Sequence, residues 1–248
     1  ARRILAVDTT QIGVEPSYER DIDVSATVVS ENGSTVESRV FGDRVKVPTF
    51  EIMSNPTVRI SEAHRRRFNV IDRAVQKARQ EIAAVEDANV FAAADSAATV
   101  VNVAQEIQPD FMHKSDLLNI SVQIEQHDNV TSKFLMHIKE FNDIRLWGSG
   151  GGQGTGGGEF DPVTMREVLK TGLFATLWGA DILVSKMVPR GTVYAFADPE
   201  FVGVMPIRED ITVYPADEMK LAKLGWLIRE EIGIGILVQR GVALGRKN

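Results

Sequence analysis

The stretch "PTVRISEAHRRRFNVIDRAVQKARQEIAAVEDANVF" constrains the fold more than any other part of this 248-residue chain. Phe68, Ile71, Val75, Ala78, Ile82 and Val85 recur at spacings of three, four, three, four and three, which draws one apolar stripe along a helix with a charged reverse face. Ser61 is placed to cap the first turn and Glu62 to meet the helix dipole, so the spacing predicts a helix over 61–88. At ~1.5 Å per residue it is a rod of roughly 40 Å. A rod of that length in so short a chain implies an elongated subunit.

Ahead of the rod, residues 1–22 hold no clear period and mix Gly13, Pro16 and several charges, the pattern of an extended arm. Val24, Ala26 and Val28 then alternate with Ser25 and Thr27, as in a half-buried strand. Asn32-Gly33 follows, a strong hairpin-turn signal because both residues tolerate positive φ. Val36, Val40, Val45 and Val47 continue on the return, where both faces are polar, with Glu37, Arg39, Asp43, Arg44 and Lys46. A hairpin over 23–52 with little core of its own needs a surface to lean on, such as another subunit.

Beyond the rod, residues 90–104 are small and apolar and fit either a buried helix or a strand. Ser115 is a cap for a helix over 115–128 with Leu117, Ile120 and Ile124 on one face. "KFLMHI" (133–138) reads as a buried strand, and "KEFNDIRLW" as a short helix running into "GSGGGQGTGGG" at 148–158. Pro162 suits a first helical turn and Gly172 a helix C-cap. "ADILVSKMV" and "GTVYAFA" are strands separated by Pro189-Arg190-Gly191, and the remainder to the end is β-rich. Helices and strands alternate without a regular βαβ rhythm, so the fold class is α+β. There is no internal repeat.

Candidate chemistry is sparse. Gly152, Gly154 and Gly157 satisfy GxGxxG, but in a run this rich in glycine the match is nearly free. Glu159 and Asp161 would put negative charge where a pyrophosphate should sit, and no Gly-Lys-Ser/Thr follows, so the run, with Gly150, Gly154 and Gly158, reads as a flexible solvated loop. His64, His113, His127 and His137 lack metal-ligand spacing, and with no cysteine there is no thiolate site or disulfide. Glu86-Asp87, Glu209-Asp210 and Glu230-Glu231 look like solvated or turn pairs. The "HRRR" run at 64–67 reads as a solvated helix face or an intersubunit salt-bridge patch before it reads as a phosphate contact. The net charge of −6 gives no global basic field. No apolar run reaches the ~18 residues of a membrane helix, and the apolar run in "ARRILAVDTTQ" is too short for a signal peptide. No catalytic residue, metal or cofactor is expected.

The order of parts, however, is distinctive. An arm leads into a polar hairpin, "VPTFEI", a long helix through "VEDANVF", "SDLLNISVQIEQHD" and "KFLMHIKEFNDIRLWG". Then come "TLWGADILVSKMVPRGTVYAFADPEFVGV", with Gly179, Pro189 and Gly191, and the closing "GWLIREEIGIGILVQRGVALGR". From about residue 15 to 246 this resembles the major capsid proteins of tailed bacteriophages, of the Hong Kong ninety-seven type, whose fold encapsulins share. The resemblance implies an N-terminal arm at 1–22, an extended hairpin loop at 23–52, and a peripheral domain from 53–129 and 219–248 around the spine helix 61–88. It implies an axial domain at 130–218 that carries the glycine loop. Assembly would rest on the hairpin residues Asn32, Gly33, Arg39, Arg44 and Lys46 and on the spine stripe of Phe68, Ile71, Val75 and Ile82. The implied protein is a non-enzymatic capsid subunit, assembled in the host cytoplasm into pentamers and hexamers of an icosahedral virion shell. That shell would hold double-stranded DNA with only weak contacts, touch no membrane, and have scaffold, portal and decoration proteins as further partners. Some relatives cross-link a hairpin lysine to a neighbour's asparagine, but Lys46, the only lysine near this hairpin, lies toward its base, so no cross-link is expected. The alternatives are an encapsulin-type compartment and a nucleotide-binding enzyme using the glycine loop.

Overall fold

Two patterns in the sequence, a period of two in the strands and a period near 3.6 in the rod, resolve into two mixed sheets braced by one long helix. The structure is a computed structural model and describes residues 1–10, 16–20, 43–65, 70–147 and 176–247. In chain order the first elements are β1 (Ala6–Asp8), β2 (Ser17–Glu19), β3 (Arg44–Lys46), β4 (Thr49–Ser54) and β5 (Thr57–Arg59). Helices α1 (Ile60–Arg65) and α2 (Val70–Ala98) follow, then β6 (Gln105–Ile107), α3 (Lys114–Glu125), β7 (Lys133–Met136) and α4 (Ile138–Leu146). The last part holds β8 (Thr176–Leu177), β9 (Ala180–Val184), β10 (Thr192–Phe196), β11 (Gly203–Pro215), β12 (Lys223–Gly233), β13 (Gly235–Ile236) and β14 (Val242–Lys247).

The first sheet has the order β1-β11-β12-β4, with β13 on β11 and β5 on β12. Its spine is the long antiparallel pair β11 and β12, and β1 joins in parallel, Ala6 opposite Val204. The second sheet has the order β6-β14-β10-β7-β9-β8 and is buried through β10, where Thr192–Phe196 are all inaccessible. Helix α2 lies along both, against β4, β12 and β13 of the first sheet and β14 of the second. One continuous core joins them, from Ile4, Leu5, Ile52 and Ile82 through Ile228 and Ile232 to Phe134, Phe141, Tyr194 and Phe196.

The rod differs from its sequence-based bounds. A helix was expected over 61–88, whereas α2 runs on to Ala98, so residues 90–98 are helix and not strand. Its last turns are "FAAADSAA", rich in the best helix former, and they bury Phe91, Ala94, Ala97 and Ala98. The stripe is also corrected. Ile82 is 1% exposed and Ala78 is buried, Ile71 and Val75 are half-buried, but Val85 is 45% exposed. The buried line runs Ala78, Ile82, Glu86, Val90, Ala94, Ala98. Each step of four residues advances about 40° past a full turn, so the line winds around the helix as its partner changes from the first sheet to the second.

The arm is not simply extended. Ser17–Glu19 pairs antiparallel with Arg44–Lys46, Tyr18 opposite Val45, and Ala6–Asp8 is built into the first sheet. Three-residue strands are too short to show a period, which is why the sequence reads as patternless there. The expected hairpin range of 23–52 includes Thr49–Glu51 and Ile52, which belong instead to β4 and pair with β12. Strand pairing crosses the expected border at 218: β11 pairs with β12 beyond it, and β14 pairs with β10 before it. Asn32, Gly33, Arg39, Phe68, Gly150, Gly154, Gly158 and the helix expected from Pro162 lie outside the described residues.

The closing "GIGI" has a steric reason. A Cβ on Gly235 would come 2.5 Å from Val47 Cγ2, and one on Gly233 would come 2.9 Å from Pro206 Cγ. The two glycines let buried Val47, at the hairpin's return, close down on the turn between β12 and β13.

Candidate functional site

Of the expected hairpin, the structure describes residues 43–52. Arg44 and Lys46 stand exposed on β3, outside the core, on the strand that leads away from the sheets. The base is tied to the body through Asp8 at the end of β1. Its Oδ1 accepts from Thr10 N at 2.8 Å and Thr10 Oγ1 at 2.6 Å, and its Oδ2 accepts from the Tyr18 hydroxyl at 2.6 Å. Hydrogen bonds from Thr10 and Tyr18 hold the Asp8 carboxyl below its usual range, while burial and then Asp8 push the Tyr18 phenol up. Tyr18 sits on β2, so this single carboxylate couples the arm to the hairpin base.

A second cluster lies where the first residues of the chain meet α2 and the first sheet. It is built from the three acidic pairs that read as solvated in the sequence. Strand alternation puts Ile228, Glu230 and Ile232 on the core face of β12, and helical spacing puts Ile82, Glu86 and Val90 on the buried line of α2. Both glutamates thus occupy core positions of their own patterns. Glu86 is 5% exposed and Glu230 is 0% exposed. Their charges repel across the buried site, and Arg2 contacts both.

Arg2 bridges the cluster. Its Nη2 donates to Glu230 Oε1 at 2.5 Å and to Asp210 Oδ1 at 2.8 Å, and its Nε donates to Glu86 Oε1 at 3.4 Å. The Ala1 amino group lies 2.6 Å from Asp87 Oδ1. Glu230 Oε2 is buried and receives no donor. Burial first, then the Glu86 charge, push the Glu230 carboxyl up to about 7 against the pull of Arg2. Asp210, hydrogen-bonded by Arg2, is held low, and Arg2 itself is raised by the acids around it. The outward partners of the same pairs do different work. Arg229 joins Glu209 at 2.8 Å and Glu51 at 3.5 Å, and Arg208 joins Glu231 at 2.7 Å, an ion-pair ladder across β4, β11 and β12. The signal that could have found the buried cluster was an acid in core register on both a strand and a helix.

A crevice of about 360 Å³ opens beside Arg2, floored by Phe91 and Leu135 and reaching Leu183 and Ser185 of the second sheet. Among the described residues no group of three His, Asp or Glu side chains is placed to hold a metal ion. His113 and His137 cap α3 and α4, and the His127 ring lies 3.1 Å from Asn102 Oδ1. Of the "HRRR" run, Arg65 is exposed.

No protein-family model and no curated protein matches the chain. Solved structures do. A chain of Microbacterium phage Oxtober96 superposes with a TM-score of 0.69 at 13% identity, over 99% of this chain and 90% of that one. The capsid structure of the cyanophage P-SCSP1u gives 0.71 at 11% identity, over 98% and 86%. The virus-like particle from Pyrococcus furiosus gives 0.57 at 18% identity, over 98% and 90%. At such identities the likeness is one of fold, and it runs from end to end: this chain has the α+β Hong Kong ninety-seven type fold.

Proposed function

We propose that the chain is a major capsid protein that self-assembles, through pentamers and hexamers, into the icosahedral shell of a virion and encloses double-stranded DNA. The observation that carries this reading is the end-to-end likeness to the cyanophage capsid, with 98% of this chain covered. The surface agrees with it. Met219 and Leu221, at the tip that joins β11 to β12, are 68% and 60% exposed, an arrangement suited to contact with a neighbouring subunit. In this reading the first sheet and α2 form the peripheral domain, and the second sheet forms the axial domain that carries the glycine loop with Gly150, Gly154 and Gly158. The hairpin with Asn32, Gly33, Arg39, Arg44 and Lys46 lies over a neighbour, and the stripe of Phe68, Ile71, Val75 and Ile82 fixes the spine. Each interface is modest, and the closed shell gains its stability from many of them at once. The protein works without catalysis, cofactor or metal, in the virion, after assembly in the host cytoplasm; scaffold, portal and decoration proteins are its further partners.

The likeness to the Pyrococcus furiosus particle favours one second reading, an encapsulin-type compartment. The contents of particles isolated from their natural source separate the two. A capsid holds nuclease-protected DNA and absorbs strongly at 260 nm. Particles that hold a folded protein and no DNA would replace the capsid reading with the compartment.

A further inference from the structure

Where the N-terminal residues meet α2 and β12, the buried carboxylates of Glu86 and Glu230 share one guanidinium, that of Arg2. The groups facing the pair are Arg2 and the Ala1 amino group from the N-terminal segment, Asp87 from α2 itself, and Asp210 from β11. Arg3 lines the same crevice, and its charge also reaches Lys133 on β7. Among the described residues, Arg2 is the side-chain cation paired with the two glutamates, and Glu230 Oε2 is left with no hydrogen-bond partner. Two like charges in one buried site cannot both ionise freely unless a cation stands between them. Apart from the two glutamates, the segment that brings this cation is held by the Ala1 amino group on Asp87, Arg2 on Asp210, a turn from Ala1 O to Ile4 N, the buried side chains Ile4 and Leu5, the three residues of β1 and the Asp8–Tyr18 hydrogen bond.

We propose that Glu86, Glu230 and Arg2 form a proton-operated latch on the N-terminal segment. With both carboxylates charged, Arg2 is gripped and β1 stays in register on β11. When the pair takes up a proton, a carboxyl–carboxylate hydrogen bond displaces the guanidinium, and the hold on β1 weakens while the rest of the fold stands. The sign follows from linkage: docking Arg2 expels a proton, so acid must loosen docking. The raised position of Glu230 puts this exchange near neutral pH. The latch belongs to the folded subunit and does not depend on the capsid reading.

Hydrogen exchange on the full chain, corrected for the intrinsic pH dependence of exchange, tests it. Protection of the β1 amides should fall about tenfold from pH 8 to pH 5.5, one decade per proton taken up per unit of pH at most, while β10 and β14 amides hold theirs. Glu230→Gln, a neutral isostere, should leave β1 protection flat over that range, with Glu86 alone still gripping Arg2. Arg2→Met should show weak β1 protection at both pH values. Should Glu230→Gln fail to fold, Glu86→Gln reads the same flattening. Constant wild-type protection, or an undiminished fall in the glutamine variant, would overturn the latch.

Discussion

Single residues set the stability of this fold most clearly at Ile82 and Glu230. Ile82 lies on the buried line of α2 where the helix meets the first sheet, at 1% exposure. Ile82→Ala should cost about 2–5 kcal/mol, the transfer term plus the cavity left in a core that collapses only partly. Urea unfolding at constant m-value checks it, and a loss under 1 kcal/mol would mean the site is not core. Glu230 acts through protons. In the unfolded chain its carboxyl titrates near 4.5, and in the folded chain near 7. The folded state therefore keeps a proton that the unfolded state has lost, so this group's contribution to stability declines as pH rises from about 4.5 to about 7 and then levels. Asp8 and Asp210, held low, act in the opposite sense and only below their ordinary 3.8. Thermal unfolding of Glu230→Gln between pH 5 and pH 8 should thus lose a downward slope that the wild type shows. Identical slopes would place the titration elsewhere. The choice between core and surface at this residue was open to sequence reasoning, since Ile228 and Ile232 bracket Glu230 in strand register. Its partner was not, because Arg2 is brought to it across more than two hundred residues of chain.

At the level of elements, periodic segments were legible and short ones were not. Helices α3 and α4 and strands β7, β9 and β10 fall where their patterns put them, because each repeats its period enough times to be read. The end of α2 was missed because alanine serves helix and buried strand alike until a partner decides. The pairing of β2 with β3 was missed because a three-residue strand carries no period. The hairpin base is where an element can be tested without touching the core. Arg44 and Lys46 are exposed, so Arg44→Glu with Lys46→Glu should leave the circular dichroism and melting temperature of the subunit within the small range of surface substitutions. The same double variant should lower the yield of assembled particles by tenfold or more if the hairpin lies on a neighbour. Normal assembly would remove the hairpin base from the interface.

For the whole molecule, the organisation that matters is two sheets joined by one rod. A helix of 29 residues, roughly 43 Å long, links a first sheet with exposed Met219 and Leu221 at its tip to a second sheet buried at its centre. Such a body has little reason to be long unless its far ends meet other bodies. The order of weak motifs along the chain carried the resemblance, and the fold bears it out over 98–99% of the chain against structures only 11–13% identical. The burial of Glu86 and Glu230, by contrast, is read from the packing. The central claim, that many copies close into a shell, is tested most directly by electron microscopy of the purified protein at neutral pH. Closed icosahedral particles of uniform diameter are expected, with this fold recoverable in each subunit. A population that stays monomeric or forms only small open oligomers, at concentrations where the subunit is folded, would contradict it.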